Sequence, residues 1–227
     1  MGEAEKSAAR QAVIEIFDAV EQGSEEWSNL RRGLPTASNF KAIVAKSTER
    51  KMRATYMRRL AAEIITGKVL DSYTNSHIER GKAGEDEPLA AYEFLTGYEL
   101  RRVGFIRNGR LGASPDALVG EDGGLEIKTQ LPDLLIQTIE NDKFPVEHIA
   151  QCQGNMLASG RQWWDIVIYW PGMPIFRRRT FRDIGYLAYL RKEIDIFNRD
   201  LDALVARITA YDGFTLERKG ASDGAAA

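Results

Sequence analysis

The feature that most restricts the fold is the stretch Ser114–Lys128, SPDALVGEDGGLEIK. Its apolar runs at Ala117–Val119 and Gly124–Thr129 flank the turn-forming GEDGG, which predicts an antiparallel hairpin. Into this apolar setting the sequence places Asp116, Glu126 and Lys128. Taking an ionised group out of water costs several kcal/mol unless a partner or a metal compensates it. The charges are therefore either solvated or part of a site. Side chains alternate faces along a strand, so Glu126 and Lys128 share one face and Leu125 and Ile127 take the other. The hairpin folds Asp116, in its Pro-Asp turn, back beside Glu126. Carboxylates that close repel unless a cation lies between them, and oxygen ligands at about 2.1 Å suit Mg²⁺. Taken alone, a Glu-x-Lys pair reads more simply as a solvated hairpin; the Pro-Asp turn and the helix before it weigh against that. On that helix Glu85, in GKAGEDEPLAAYE, stands near an apolar face marked by Tyr92 and Leu95. It is a third oxygen ligand, or a first-turn carboxylate favoured by the helix dipole.

Periodicity sets the surroundings. Ala9, Val13, Ile16, Phe17 and Val20 have helical spacing and Gly23 closes the segment, which predicts an accessory helix over residues 1–23. Further helices are expected around Trp27, from a Ser38 cap to about Ala45, through Tyr56–Ile65 to Gly67, and from Lys82 to Leu95. Strands are expected at Leu100–Arg107 and Arg110–Ser114, then in the hairpin, then at WDIVIYW and IFRRRTF, with a helix over Val146–Ser159 between them. Leu187, Leu190, Ile194, Phe197, Leu201, Leu204 and Ile208 form one seam of a last long helix, for packing on the chain's own sheet in preference to another subunit. Residues 1–217 read as one domain and 218–227 as a disordered tail.

Composition narrows the chemistry. Apolar residues make up 44% of the 227, enough for a sizeable core. No apolar run approaches the roughly 20 residues of a membrane helix, so a cytoplasmic protein is expected. A single cysteine, Cys152, and two histidines, His77 and His148, cannot build a thiolate zinc cage, which again favours a hard, oxygen-bound ion. The net charge of −2 does not announce a polyanion binder, but basic residues cluster in Glu49–Arg59, Leu100–Arg110 and Phe176–Arg182. Each cluster alone reads as a solvated face; together they suggest a phosphate-lined surface. Neither G-x-x-x-x-G-K-[ST] nor G-x-G-x-x-G is present, excluding a Walker-type ATPase and a dinucleotide enzyme.

In order, Glu85, Ser114-Pro115-Asp116, Glu126-Ile127-Lys128 and Ala150-Gln151-Cys152-Gln153 resemble the PD-(D/E)XK nuclease superfamily. With WSNLRRGLPTAS they are similar to the phage lambda exonuclease and YqaJ-like viral recombinase nucleases, over about Trp27 to Trp170. The resemblance implies an α/β fold with a restriction-endonuclease-like core, a central mixed β-sheet flanked by helices. It implies that Asp116, Glu126, the Ile127 backbone carbonyl and Glu85 hold Mg²⁺, with Mn²⁺ as a substitute, and that Lys128 holds or activates the attacking water. It assigns Arg31, Ser38 and Gln153 to a pocket for a 5′-terminal phosphate, with Gln151 the competing amide, and Ile78 to a wedge that parts the duplex end. Ser38 is also readable as a helix cap, and Ile78 as simple packing. The implied activity is 5′-to-3′ digestion of double-stranded DNA ends to mononucleotides, leaving 3′ single strands for recombination, by a phage- or prophage-encoded homotrimeric ring partnered by a single-strand annealing protein. An endonuclease or repair nuclease of the superfamily, and a non-catalytic DNA-binding module, are the alternatives. The turn Thr129–Pro132 after the lysine, and Ala117 after the Pro-Asp, depart from the usual pattern.

Overall fold

The computed structural model describes residues 13–45, 50–70 and 86–212. The chain runs β1 (Ile14–Phe17), α1 (Glu25–Arg31), a 3-10 turn (Ala37–Asn39), the single turn α2 (Phe40–Ile43), α3 (Arg50–Thr66) and α4 (Asp86–Thr96). Strands β2 (Leu100–Arg101), β3 (Phe105–Asn108), β4 (Gly112–Ala113), β5 (Ala117–Val119) and β6 (Gly123–Thr129) follow. Then come α5 (Pro132–Asn141), α6 (Ile149–Ser159), β7 (Trp163–Tyr169), β8 (Phe176–Phe181) and the long α7 (Ile184–Thr209).

The main sheet has the order β2-β5-β6-β7-β8, and a smaller one the order β1-β3-β4. Among the described strands only β6 and β7 run parallel, and helices α5 and α6 form the crossover that a parallel pair needs. The hairpin forms as expected: Ala117 opposes Leu125 and Val119 opposes Gly123. One face of the main sheet packs Trp164 and Leu118 against α3, α6 and α7. The other packs Leu125 and Val167 against Leu89 and Tyr92 of α4. Leu187, Leu190, Ile194, Phe197 and Leu201 of α7 are buried in the first of these cores, so the seam mates with the chain itself.

Four expectations are corrected. Residues 14–17 are a strand, not a helix: β1 lies antiparallel to β3, with Ile14 opposite Asn108 and Phe17 opposite Phe105. Helical spacing in so short a segment yields to a distant pairing partner. The expected strand Leu100–Arg107 is two strands in different sheets, with residues 102–104 between them. Ser38 caps no helix. It lies inside the 3-10 turn, its Oγ 3.5 Å from Thr36 Oγ1 and accepting from Asn39 Nδ2 at 3.3 Å. Helix α5 is the fourth difference: residues 129–132 read as a turn, yet Pro132 sits at the first helical position, where its missing N–H costs nothing.

Candidate active site

The hairpin register sets Asp116, just before β5, opposite Glu126 on β6. Asp116 Oδ2 accepts the Ile127 N–H at 2.5 Å. A strand residue directs its N–H and C=O to the same edge, so the Ile127 carbonyl also faces the side where β5 has ended. Glu126 is 3% exposed and its carboxylate is held from three directions. Lys128 Nζ donates to Oε1 at 2.7 Å, Gln151 Nε2 donates to the same oxygen, and Asn155 Nδ2 donates to Oε2 at 3.1 Å. Burial alone would lower the Lys128 pKa, but Glu126 and then Asp116 outweigh it and hold it above its ordinary value. Lys128 is thus an ammonium at neutral pH. In that state it donates its hydrogen bond to Glu126.

The donor set suits a hard divalent cation. Two carboxylates and a backbone carbonyl meet at one strand edge. The softer candidate is inert, because burial and then Glu126 push the Cys152 thiol well up and keep it protonated. His148, just before α6, is held down by burial and then by Lys128, so its imidazole is neutral. Among the described residues no group of three or more His, Cys, Asp and Glu side chains forms a metal cluster. Glu85, the expected third carboxylate, and Ile78, the expected wedge, lie outside the described residues.

Helix phase separates the two glutamines. A Cβ on Gly154 would stand 2.4 Å from Phe40 Cδ2, so this glycine lets α6 press against the 3-10 turn that carries Ser38. Gln151, one turn earlier, shares that side and reaches Glu126. Gln153 points the other way and is 3% exposed. Its Nε2 donates to the Phe181 carbonyl at 2.8 Å and its Oε1 accepts the Asp183 N–H at 3.1 Å, fastening β8 to α7. Gln153 thus lies away from the carboxylates, and Gln151 is the amide that reaches Glu126. Gln153→Ala is expected to lower stability by about 1–3 kcal/mol, by stranding two buried backbone groups, with activity per folded molecule unchanged. Gln151→Ala is expected to do the reverse, a roughly tenfold loss of activity with little change in melting temperature. Thermal melts and activity assays on both variants check the pair.

Arg31 occupies an unusual setting. Arginines in all three basic clusters have carboxylate partners: Arg53 with Asp200, Arg59 with Glu63, Arg101 with Asp18, Arg110 with Asp202, and Arg177 and Arg179 with the buried Asp165. The expected phosphate-lined surface is thus largely neutralised. Arg31 instead lies 3.8 Å over the ring of Trp27 and, among the described residues, has no carboxylate within ion-pair distance. Burial pulls its pKa down to about 10, leaving it charged at neutral pH. Its neighbour Tyr56 accepts the Thr36 N–H at 3.0 Å, which draws the Ser38 turn towards the same region. Glu63 supports the charge from beyond ion-pair distance and is itself paired with Arg59, so the partly desolvated guanidinium keeps room for an anion.

A profile of the YqaJ-like viral recombinase domain matches residues 26–162, more than half of the chain. The chain belongs to the YqaJ-like viral recombinase family. Among solved structures, the domain is similar to the alkaline exonuclease LHK-Exo of Laribacter hongkongensis, at 32% identity and a TM-score of 0.75, over 82% of this chain and 96% of that one. LHK-Exo in complex with dAMP matches at 34% identity, with the same coverage and TM-score. A phage-related exonuclease of Haemophilus somnus 129PT shares the fold at 13% identity and a TM-score of 0.58, over 80% of this chain and 99% of that one. No curated protein matched. The YqaJ-like domain accordingly has the expected PD-(D/E)XK core, a mixed sheet flanked by helices. Among its described residues no helix is long and apolar enough to cross a membrane.

Trp27 and Asn155 are the site residues that sequence reading passed over, and Gln151 entered it only as the amide competing with Gln153. Trp27 and Arg31 are four apart on α1, and Gln151 and Asn155 four apart on α6. Such spacing shares a helix face, so Arg31 and Gln151, which the sequence offers, point to the residue one turn away on each helix.

Proposed function

We propose that this YqaJ-like domain is a Mg²⁺-dependent exonuclease that degrades one strand of double-stranded DNA from its 5′ end to mononucleotides and leaves 3′ single strands for recombination. The observation that carries the reading is the convergence of Asp116, Glu126 and Lys128 at one strand edge. The relatedness to LHK-Exo, an exonuclease also solved with the mononucleotide dAMP, supports it. A Mg²⁺ or Mn²⁺ held by Asp116, Glu126 and the Ile127 carbonyl, with Glu85 where it reaches them, supplies charge that screens the phosphodiester and lowers the pKa of water.

The chain's own residues prepare that site. Gln151 and Asn155 fix the plane of the Glu126 carboxylate, so little reorganisation remains when the substrate arrives. Lys128, with 31% of its side chain exposed against 4% for Glu126, reaches the mouth of the site and can offer a proton to water or to a phosphoryl oxygen. Arg31 and the Ser38 turn receive the 5′-terminal phosphate. This gives direction, because the end is held at a fixed distance from the carboxylates.

Since most clustered arginines are internally paired, a strong hold on DNA has to come from enclosure, in keeping with a homotrimeric ring acting in the cytoplasm beside a single-strand annealing protein. Ile78 serves as the wedge at the duplex end. Digestion of end-labelled linear duplex tests the reading: mononucleotide release that needs Mg²⁺, starts at 5′-phosphorylated ends and spares closed circles is expected. Cutting of closed circles would replace it with an endonuclease, and metal-independent binding without cleavage with a DNA-binding module.

A further inference from the structure

Trp27 makes contacts that core packing does not require. Its indole Nε1 donates to Ser114 Oγ at 2.9 Å and to the Gly104 carbonyl at 3.1 Å, fixing the ring in its plane. Ser114 opens the Ser114-Pro115-Asp116 stretch, so the tryptophan is tied two residues from a carboxylate of the candidate metal site. Gln22 braces the same stretch by donating to the Pro115 carbonyl at 2.9 Å. One helical turn beyond Trp27, the Arg31 guanidinium lies over the ring at van der Waals distance, 3.8 Å from its centroid. Such seating holds a planar cation by its face and leaves the N–H groups on its rim for a ligand. Helix α1 itself is anchored by Ser24, whose Oγ accepts the Trp27 N–H at 3.1 Å.

We infer that Trp27 is a positioning residue which seats the Arg31 guanidinium and locks it to the Asp116 strand end, and thereby sets the preference for a 5′-phosphorylated over a 5′-hydroxyl end. The inference rests on the terminal-phosphate reading above. Trp27 touches neither the phosphate nor the reacting atoms; it acts through Arg31. A ring that merely fills space would support both end chemistries equally. A ring that seats the guanidinium matters only when the phosphate is present.

The test is the ratio of kcat/KM on 5′-phosphorylated to that on 5′-hydroxyl linear duplex, measured with the full chain and Mg²⁺. Wild type is expected to show a ratio well above one. Trp27→Leu is expected to lower it about five- to thirtyfold, the range of a partly desolvated cation–π contact. Trp27→Phe, which keeps a ring but loses the N–H bonds, is expected to lower it about twofold. In an Arg31→Met background, Trp27→Leu is expected to change the ratio no further. An unchanged ratio in Trp27→Leu, or in Trp27→Phe should the leucine variant fail to fold, overturns the inference. So does a full further drop in the Arg31→Met background. A wild-type ratio of one would instead overturn the terminal-phosphate reading itself, a result distinct from either of these.

Discussion

Glu126→Gln is expected to lower mononucleotide release from a phosphorylated linear duplex by about a thousandfold or more. The amide has nearly the same shape as the carboxylate but lacks its charge, and a neutral amide is a poor ligand for a hard divalent cation. The fold has the means to absorb the change. The substituted amide need not accept all three bonds: its oxygen can still take the Lys128 and Gln151 donors, and the Asn155 amide can turn to offer its own oxygen to the new N–H₂. Lys128 loses a counter-charge, but with 31% of its side chain exposed it keeps some hydration, so the stability cost is about 2 kcal/mol, less than for a fully buried pair.

Activity, thermal melts and Mn²⁺ titration calorimetry on the same preparation separate these effects. A folded variant that binds no metal and cleaves no DNA is the expected outcome. Retention of a tenth of the wild-type rate would remove Glu126 from the chemistry. Lys128→Ala should also abolish cleavage, but with metal binding intact, because the ammonium is a proton donor beside the ligands and not a ligand itself.

The candidate site is legible in the sequence for a local reason. Residues 114–128 contain both strands, the turn and all three charges, so alternation and turn chemistry within that one stretch place them. What lies beyond local reach is not legible. The partners of the clustered arginines stand up to 147 positions away, as for Arg53 and Asp200, and nothing near Arg53 announces them. The strand β1 is specified by Phe105–Asn108 and not by its own spacing. The choice between Gln151 and Gln153 needs the phase of α6, which is set by Gly154 against Phe40, a contact between segments far apart in the chain. Proline at the start of α5 misleads because the same residue both ends and begins helices.

Arg31→Met is expected to slow digestion of 5′-phosphorylated ends about a hundredfold, to leave 5′-hydroxyl ends at their wild-type rate, and not to lower the melting temperature. The combination follows from the setting of the guanidinium. It is a partly desolvated cation that lies on an aromatic face with no carboxylate at ion-pair distance among the described residues and only longer-range support from Glu63, so the free protein bears a cost that an incoming anion relieves. Methionine keeps most of the apolar stem and removes the charge that lies over Trp27. The same reasoning predicts that inorganic phosphate raises the melting temperature of the wild type and not of Arg31→Met, because an anion that binds only the folded state stabilises it by mass action. Differential scanning calorimetry in matched ionic strength, with chloride replaced stepwise by phosphate, reads this directly. If phosphate stabilises both proteins equally, or if Arg31→Met melts several degrees below the wild type, Arg31 is a structural cation held by its surroundings and the terminal phosphate is recognised elsewhere.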